Sequence, residues 1–425
     1  MKEAGIMDNR ELWTLLMDVK CMTAFSHVSK NPAIAAMIRL LTICGSEHAD
    51  PEALRNAYID VYSEWLRAAA NGRGGFARET LEAVLFEDSP AAELCARMNA
   101  EDLPYSLVSS MARDLETLGQ MTAIEPAMCL LLCQRAGMTG ETAARLPVWE
   151  PSIGVEPFDP RIDRTMLSRD GVGRVAAFFR HQGTGLFARC PGSIWVGISD
   201  QHPLGLRGIR GMAPIHPEHE VIYQKERTVL EENTKRLLSG HKAANLLLCG
   251  EHGVGKSAVV KALLNRFWLD GLRIVEMPET ALEQLPELFS ILGKQPGKFI
   301  VYIDEVALDA VEYRTLKAVL ESGLEARPEN VVLYATSDVN PDAWQPGNAP
   351  LLADSFEKTL MFEAPTLEEY GAVCRALLDA HGVEYDWEAL SPKAKEWADR
   401  HGDCSLRAAR QFARWAEAAA QPEKE

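Results

Sequence analysis

Residues 244–257 read Ala244-Asn-Leu-Leu-Leu-Cys249-Gly250-Glu251-His252-Gly253-Val254-Gly255-Lys256-Ser257. An apolar run leads into Gly-x-x-x-x-Gly-Lys-Ser, and an amphipathic helical pattern follows over 257–268. The glycines let the backbone take positive φ and turn successive N–H groups toward phosphate oxygens. A helix beginning near Lys256 directs its positive dipole end at the same anion. Lys256 is expected to reach the β- and γ-phosphates and the Ser257 hydroxyl to ligate Mg²⁺. Gly250 through Ser257, with Ala258, are the expected nucleotide-binding residues. A glycine-rich turn with an incidental lysine is the bland alternative, but the strand before and the helix after are the context that phosphate binding demands.

Downstream, Phe299-Ile-Val-Tyr-Ile303-Asp304-Glu305 is a hydrophobic strand ending in two acids. A buried strand puts both carboxylates at its C-terminal edge, beside the phosphate loop of a doubly wound sheet. Asp304 is expected to hold Mg²⁺, usually through water, and Glu305 to polarise the attacking water. A third strand over 331–336 ends in Ser337-Asp338, and Ser337 is a candidate to hydrogen-bond the water or the γ-phosphate. Further strands are expected over 273–277 and 358–362, separated by helices over 257–268, 281–292 and 313–322. Such alternation argues a parallel sheet covered on both faces. Toward the C-terminus, Thr366-Leu-Glu-Glu369 forms a capping box, Ser391-Pro392 reads as a helix start, and Ser405 can cap a final helix.

Upstream the character changes. Residues 1–145 show helical spacing, clearest in Leu54, Ala57, Tyr58, Val61, Tyr62 and Trp65. Asp50-Pro51, Ser89-Pro90 and Leu103-Pro104 mark helix starts, and no fixed-period repeat or catalytic constellation is visible. Residues 146–219 are rich in Pro and Gly and read as a linker. It would hold one short helix over 172–181 and strands around 186–189 and 193–197. Gly171-Val-Gly-Arg-Val-Ala176 imitates a dinucleotide fingerprint, but nothing before it reads as a strand. The domains expected are therefore 1–145, all helical; 146–219, linker; 220–364, nucleotide-binding α/β; and 365–425, a helical lid.

Composition narrows the function classes. Of 425 residues, 47% are hydrophobic and 25% charged, an ordinary globular balance. Lys+Arg 44 against Asp+Glu 61 gives a net charge of −17, which argues against nucleic acid as a partner. The local basic features, Arg207, Arg210 and the 407–414 helix, have no aromatic stacking platform beside them. Nine cysteines occur without a CxxC, and Cys129 and Cys133 suit one apolar helix face better than a metal site. The start of the chain has no apolar signal region and no stretch is long enough to span a bilayer, so a reduced, cytoplasmic location is expected.

The ordered set of phosphate loop, acidic strand end, polar strand end and small helical lid resembles the AAA+ ATPases. More narrowly it resembles the bacterial AAA+ family known as domain of unknown function 815. The similar residues include Val260-Lys-Ala-Leu-Leu-Asn265, Gly271-Leu-Arg-Ile-Val-Glu276, Leu316-Lys-Ala-Val-Leu-Glu321, Gly323-Leu-Glu-Ala-Arg-Pro-Glu-Asn330, Tyr334-Ala-Thr-Ser337 and, upstream, Gly183-Thr-Gly-Leu-Phe187. The resemblance is strong over 220–365 and adds little to the first 145 residues. It implies a five-stranded parallel sheet in the order 5-1-4-3-2 with the lid over the nucleotide, ATP as ligand, and a ring or other oligomer. Two departures stand out. Asp338 occupies the position of the family's sensor asparagine, and Asp354-Ser355-Phe356 replaces the Asp-Arg-Phe that supplies an arginine finger in trans. Lys358 and Arg327 are the candidate substitutes, with surface salt bridges the more ordinary role for both. In Cys404-Ser-Leu-Arg407-Ala-Ala-Arg410, Arg407 best matches the lid's sensor arginine and Arg410 is the neighbouring choice.

The function expected is Mg²⁺-dependent ATP binding and hydrolysis that drives conformational change or remodelling of a protein partner held by the N-terminal helices. The alternative is a nucleotide-gated switch with little turnover, for which Ser355 and Asp338 speak.

Overall fold

A computed structural model describes residues 7–70, 75–149, 159–209, 211, 221–306, 327–338, 356–401 and 404–420. The chain divides between Arg189 and Cys190 into two units.

The first unit is helical. Its helices are α1 Asn9–Lys20, α2 Pro32–Cys44, α3 Pro51–Ala70, α4 Phe76–Phe86, α5 Pro90–Arg97, α6 Tyr105–Thr122, α7 Pro126–Arg135, α8 Gly140–Ala144, α9 Val172–Gln182 and α10 Gly185–Arg189. Local chemistry sets many of the starts. Asp8 and Glu11 close a capping box on α1, and Asn31 and Ser89 cap helices whose first residue is proline. One apolar core joins the helices, with Leu12, Phe25, Tyr58 and Phe179 among its fully enclosed members. Cys129 and Cys133 both point into it, and Cys133 Sγ lies 3.8 Å from Cys44 Sγ. Burial pushes the Cys129 thiol up to about 12, as befits an apolar filler rather than a ligand. None of the nine cysteines is in a disulfide.

Two expectations change here. Residues 186–189 are not a strand: they belong to α10, where the Thr184 carbonyl accepts from the N–H groups of Phe187 and Ala188. Nor is 146–219 a linker throughout. Residues up to Arg189 belong to the helical unit, and those after it build two strands of the sheet. The Gly171–Ala176 imitation follows a 3₁₀ turn at Arg169–Gly171, with no strand before it among the described residues.

The second unit is α/β. Its strands are β1 Gly192–Trp195, β2 Leu206–Ile209, β3 Leu246–Gly250, β4 Leu272–Glu276, β5 Lys298–Ile303, β6 Val331–Ser337 and β7 Lys358–Phe362. The sheet order is β2-β1-β4-β5-β6-β3-β7. All neighbours are parallel except β2, which runs against β1. The expected five-stranded sheet is thus corrected to seven strands. The run β7-β3-β6-β5-β4 carries the 5-1-4-3-2 succession, and β1 and β2 extend it past β4, where the expectation ended the sheet.

Every residue of β3 and β6 is buried, the mark of strands covered on both faces. Helices α11 Gln224–Leu238 and α12 Lys256–Phe267 supply Leu230, Val260 and Leu263 to a core shared with Leu246, Ile300 and Tyr334. The Asn233 side chain ties α11 to this layer. Its amide donates to Ala244 O at 2.8 Å and to the Tyr334 hydroxyl at 3.1 Å, while its oxygen accepts from Ala244 N. Helix α13 Leu285–Gly293 follows β4.

The lid consists of α14 Leu367–Ala380, α15 Trp387–His401 and α16 Leu406–Ala420, joined by a core that includes Tyr370, Leu378 and Phe412. The Thr366–Glu369 capping box forms, and Ser405 Oγ accepts from Ala408 N at 3.2 Å. Pro392 does not open its helix. Helix α15 begins earlier, where Asp386 Oδ1 accepts from Glu388 N, and Pro392 lies in its interior. The helix expected over 313–322 lies outside the described residues, as do Arg210, Asp354 and Ser355.

Candidate functional site

The backbone between β3 and α12 takes the shape that the glycines permit. Gly250, Gly253 and Gly255 have φ of 155°, 89° and 103°. At Gly250 a Cβ would lie 2.2 Å from the carbonyl oxygen of Phe362, so close approach by β7 admits no side chain. Val254 is buried in the core below the loop, which anchors its crest. Lys256 then starts the helix. Its side chain is 5% exposed, and Nζ donates to Gly250 O at 2.7 Å, Glu251 O at 3.0 Å and Asp338 Oδ1 at 2.7 Å.

Asp304, just past β5, is held by hydroxyls. Ser257 donates to its Oδ1 at 2.7 Å and Thr336 at 2.8 Å, and the Tyr302 hydroxyl donates to the same atom. Burial works against the charge of Asp304. The three hydroxyl bonds and nearby Lys261 outweigh it and hold the carboxyl below its ordinary range. Burial, with Asp304 beside it, pushes the Tyr302 hydroxyl up, so it stays protonated and donates. Ser257 Oγ and Asp304 offer oxygen donors alone, the set that a hard cation such as Mg²⁺ prefers.

Glu305 follows in a left-handed conformation at φ 53°, a costly state for a residue with a side chain. Thr336 stabilises the turn from β6. Its hydroxyl accepts from Glu305 N at 2.8 Å, and its carbonyl accepts from Val306 N at 2.8 Å. The Glu305 carboxylate is turned outward, with Oε1 3.2 Å from His252 Nδ1. His252 Nδ1 also lies 3.3 Å from Asp338 Oδ2, and Nε2 lies 2.6 Å from the Arg407 guanidinium.

These groups surround a cavity of about 480 Å³. Its floor includes Gly255, Lys256, Ser257 and Ala258, and Glu305 and Asp338 stand at its side. The lid contributes Arg407, Arg410 and Arg414, spaced along one side of α16 opposite its buried Ala409, Phe412 and Ala413. Gly253 abuts the start of the same helix, where an added Cβ would lie 3.5 Å from Ser405 Cβ.

The sequence-based candidates among the described residues therefore gather around one cavity, with three exceptions. Ser337 is fully buried and falls, by strand alternation, on the other face of β6 from Thr336 and Asp338. The hydroxyl that reaches the site is that of Thr336. Arg327 turns back on its own sheet, donating to Val331 O at 2.6 Å and Ala243 O at 3.2 Å. Lys358 is exposed at the N-terminal end of β7, paired with Leu246, at the opposite end of the sheet from the phosphate loop. Sequence reasoning missed Tyr302 and Thr336. Both sit two residues before a site acid, so a period-two reading from Asp304 and Asp338 would have found them.

No curated protein matches the sequence. Among solved structures, similarity is found to the RuvB Holliday junction branch migration motor of Thermotoga maritima, with 15% identity, a TM-score of 0.35, and coverage of 47% of this chain and 64% of that one. The AMPPCP-bound DnaA of Aquifex aeolicus matches at 14% identity with a TM-score of 0.37, over 48% of this chain and 65% of that one. The PCH-2 of C. elegans matches at 14% and 0.32, over 49% and 73%. This chain thus spans less than two thirds of the RuvB and DnaA chains, and likeness at this level carries no conclusion about what it binds or does. The sequence profile of the family described as protein of unknown function (DUF815) matches residues 193–340 and 349–420. That stretch covers more than half of the chain and holds every residue of the cavity, and the chain belongs to this family.

Proposed function

We propose that this protein binds ATP with Mg²⁺ and hydrolyses it, in the manner of AAA+ ATPases, to drive a conformational change or the remodelling of a bound partner. The observation that carries this reading is the meeting of Lys256, the Ser257–Asp304 pair, Glu305 and Arg407 around one cavity at the C-terminal ends of parallel strands. Lys256 and the loop N–H groups would bind the phosphates. Ser257 and Asp304 would hold Mg²⁺, which supplies charge neutralisation on the phosphate oxygens when bound. Glu305, which lines the cavity, would polarise the attacking water. Arg407, with Arg410 and Arg414 along the same helix, would bring the lid's positive charge to the phosphates. Thr336 replaces Ser337 as the hydroxyl serving this site. The helical first unit is our candidate for partner docking, the cytoplasm our candidate location, and a homo-oligomer the expected assembly.

A second reading, a nucleotide-gated switch with little turnover, is favoured by the engagement of Lys256 with Asp338 and of Glu305 with His252. Steady-state ATP hydrolysis with Mg²⁺, measured over a wide range of protein concentration, separates the two. Hydrolysis that falls about 10²–10⁴-fold in Glu305→Gln while ATP binding persists supports the ATPase. ATP binding with almost no wild-type turnover, and activity gained by Ser355→Arg, supports the switch. Absence of ATP binding would sink both.

A further inference from the structure

Lysine has three N–H donors, and at Lys256 all three are spent inside the protein. Two go to carbonyls of its own loop. The third goes to Asp338 Oδ1 at 2.7 Å, among the described residues the one anion bonded to this nearly enclosed ammonium. The other oxygen of Asp338 is 3.3 Å from His252 Nδ1. The Arg407 guanidinium can only donate, so His252 Nε2 accepts from it at 2.6 Å and Nδ1 carries a proton for the carboxylates of Asp338 and Glu305. His252, Glu305 and Asp338 have ligand atoms within 4.8 Å of one another, as a metal site would. Yet Nδ1 is committed as a donor and two cations, Lys256 and Arg407, stand beside the group, so the arrangement suits an anion held by donors rather than a metal held by acceptors.

We propose that Asp338 is a specificity-determining residue whose carboxylate takes the place of a nucleotide's terminal phosphate on Lys256, so that the site favours a nucleoside diphosphate over the triphosphate. The proposal rests on the reading of the cavity as an ATP site. The β-phosphate of a diphosphate can be held by the loop N–H groups and take a Lys256 donor from one of the loop carbonyls, without evicting Asp338. The γ-phosphate of a triphosphate brings a second anion to the same ammonium and must displace the carboxylate from both Lys256 and His252. Repulsion between the two anions, together with loss of the His252 contact, then weakens triphosphate binding selectively.

The test is calorimetric titration of the full chain with ADP and with the β,γ-methylene analogue of ATP, in the presence of Mg²⁺. Wild type is expected to bind ADP at least about tenfold more tightly than the analogue. Asp338→Asn keeps an oxygen for Lys256 but removes the charge. It should tighten the analogue about tenfold and leave ADP within about threefold. His252→Gln, which loosens the outer hold on Asp338 along with the contacts to Glu305 and Arg407, should shift the analogue relative to ADP the same way by about threefold and carries the test if Asp338→Asn fails to fold. Equal shifts for both nucleotides, or none, would overturn the role of Asp338 while leaving the ATP site standing. No binding of either nucleotide to wild type or variants would overturn the ATP site, and this proposal with it.

Discussion

Two aspartates, one in each unit, show how differently a fold can hold a carboxylate. Asp114 in the helical unit is fully buried on α6, and its Oδ2 accepts from the backbone N–H groups of Thr23 and Phe25 at 2.8 and 3.1 Å. Asp304 in the α/β unit is held at a strand end by three hydroxyls. A backbone N–H is fixed by the chain and cannot turn away, so Asp114 ties a loop to a helix through Oδ2. A hydroxyl can rotate, and its oxygen can accept or ligate in turn, so Asp304 is organised without being used up. The identity of the donors, more than burial, separates a structural acid from a candidate ligand.

The largest effect is expected at Asp114. Asp114→Ala leaves two backbone donors without their acceptor and should lower stability by about 3 kcal/mol in urea denaturation, with nucleotide affinity of the folded protein unchanged. Asp304→Asn should do the reverse. It keeps an oxygen for the three hydroxyls, so stability should move by less than about 1 kcal/mol, while Mg²⁺-dependent nucleotide affinity falls about tenfold. If the two variants exchange these phenotypes, the contrast between the acids is wrong.

A smaller effect is expected one bond further out. Thr336→Val removes the hydroxyl that links Asp304 to the Glu305 turn, and should cost about 1 kcal/mol of stability with a several-fold loss of kcat. An unchanged kcat would show that the left-handed turn at Glu305 holds without Thr336. The smallest effect is in the pH dependence. The carboxyl of Asp304 lies below its ordinary range when folded, so its contribution is fully present above the unfolded value near ~3.9 and is lost as pH falls through the lowered folded value. Stability of wild type relative to Asp304→Asn, followed in urea from pH 6 to pH 3, should therefore shrink toward the acid end. A difference that grows there would contradict the assignment.

Much of the α/β unit was legible because its signals are local. The phosphate loop is a contiguous motif, and β3 to β7 are apolar runs bounded by turns. What escaped was relational. In a strand buried on both faces the apolar pattern does not alternate, so hydrophobicity over 331–337 does not say which residues share a face, and Ser337 stood out by type while Thr336 had the right parity. Likewise β1 and β2 are four residues each, and their membership of the sheet depends on pairing Gly192 to Ile274, more than eighty positions away. Pro392 misled because proline at a first turn is the common case, and Asp386 had already begun the helix.

The position of β3 has a consequence for the order in which the protein is made. Strand β3 pairs on one side with β6 and on the other with β7, which follow the other strands of this sheet in the chain among the described residues. A growing chain that has completed the phosphate motif still leaves both edges of Leu246–Gly250 open, and the close contact of Gly250 with Phe362 comes only with β7. Pairings of such long sequence separation are slow to form, and unpaired strand edges invite wrong partners. Nucleotide therefore has no finished cradle to select on a nascent chain. Its stabilising influence can begin only once Lys358–Phe362 has left the ribosome.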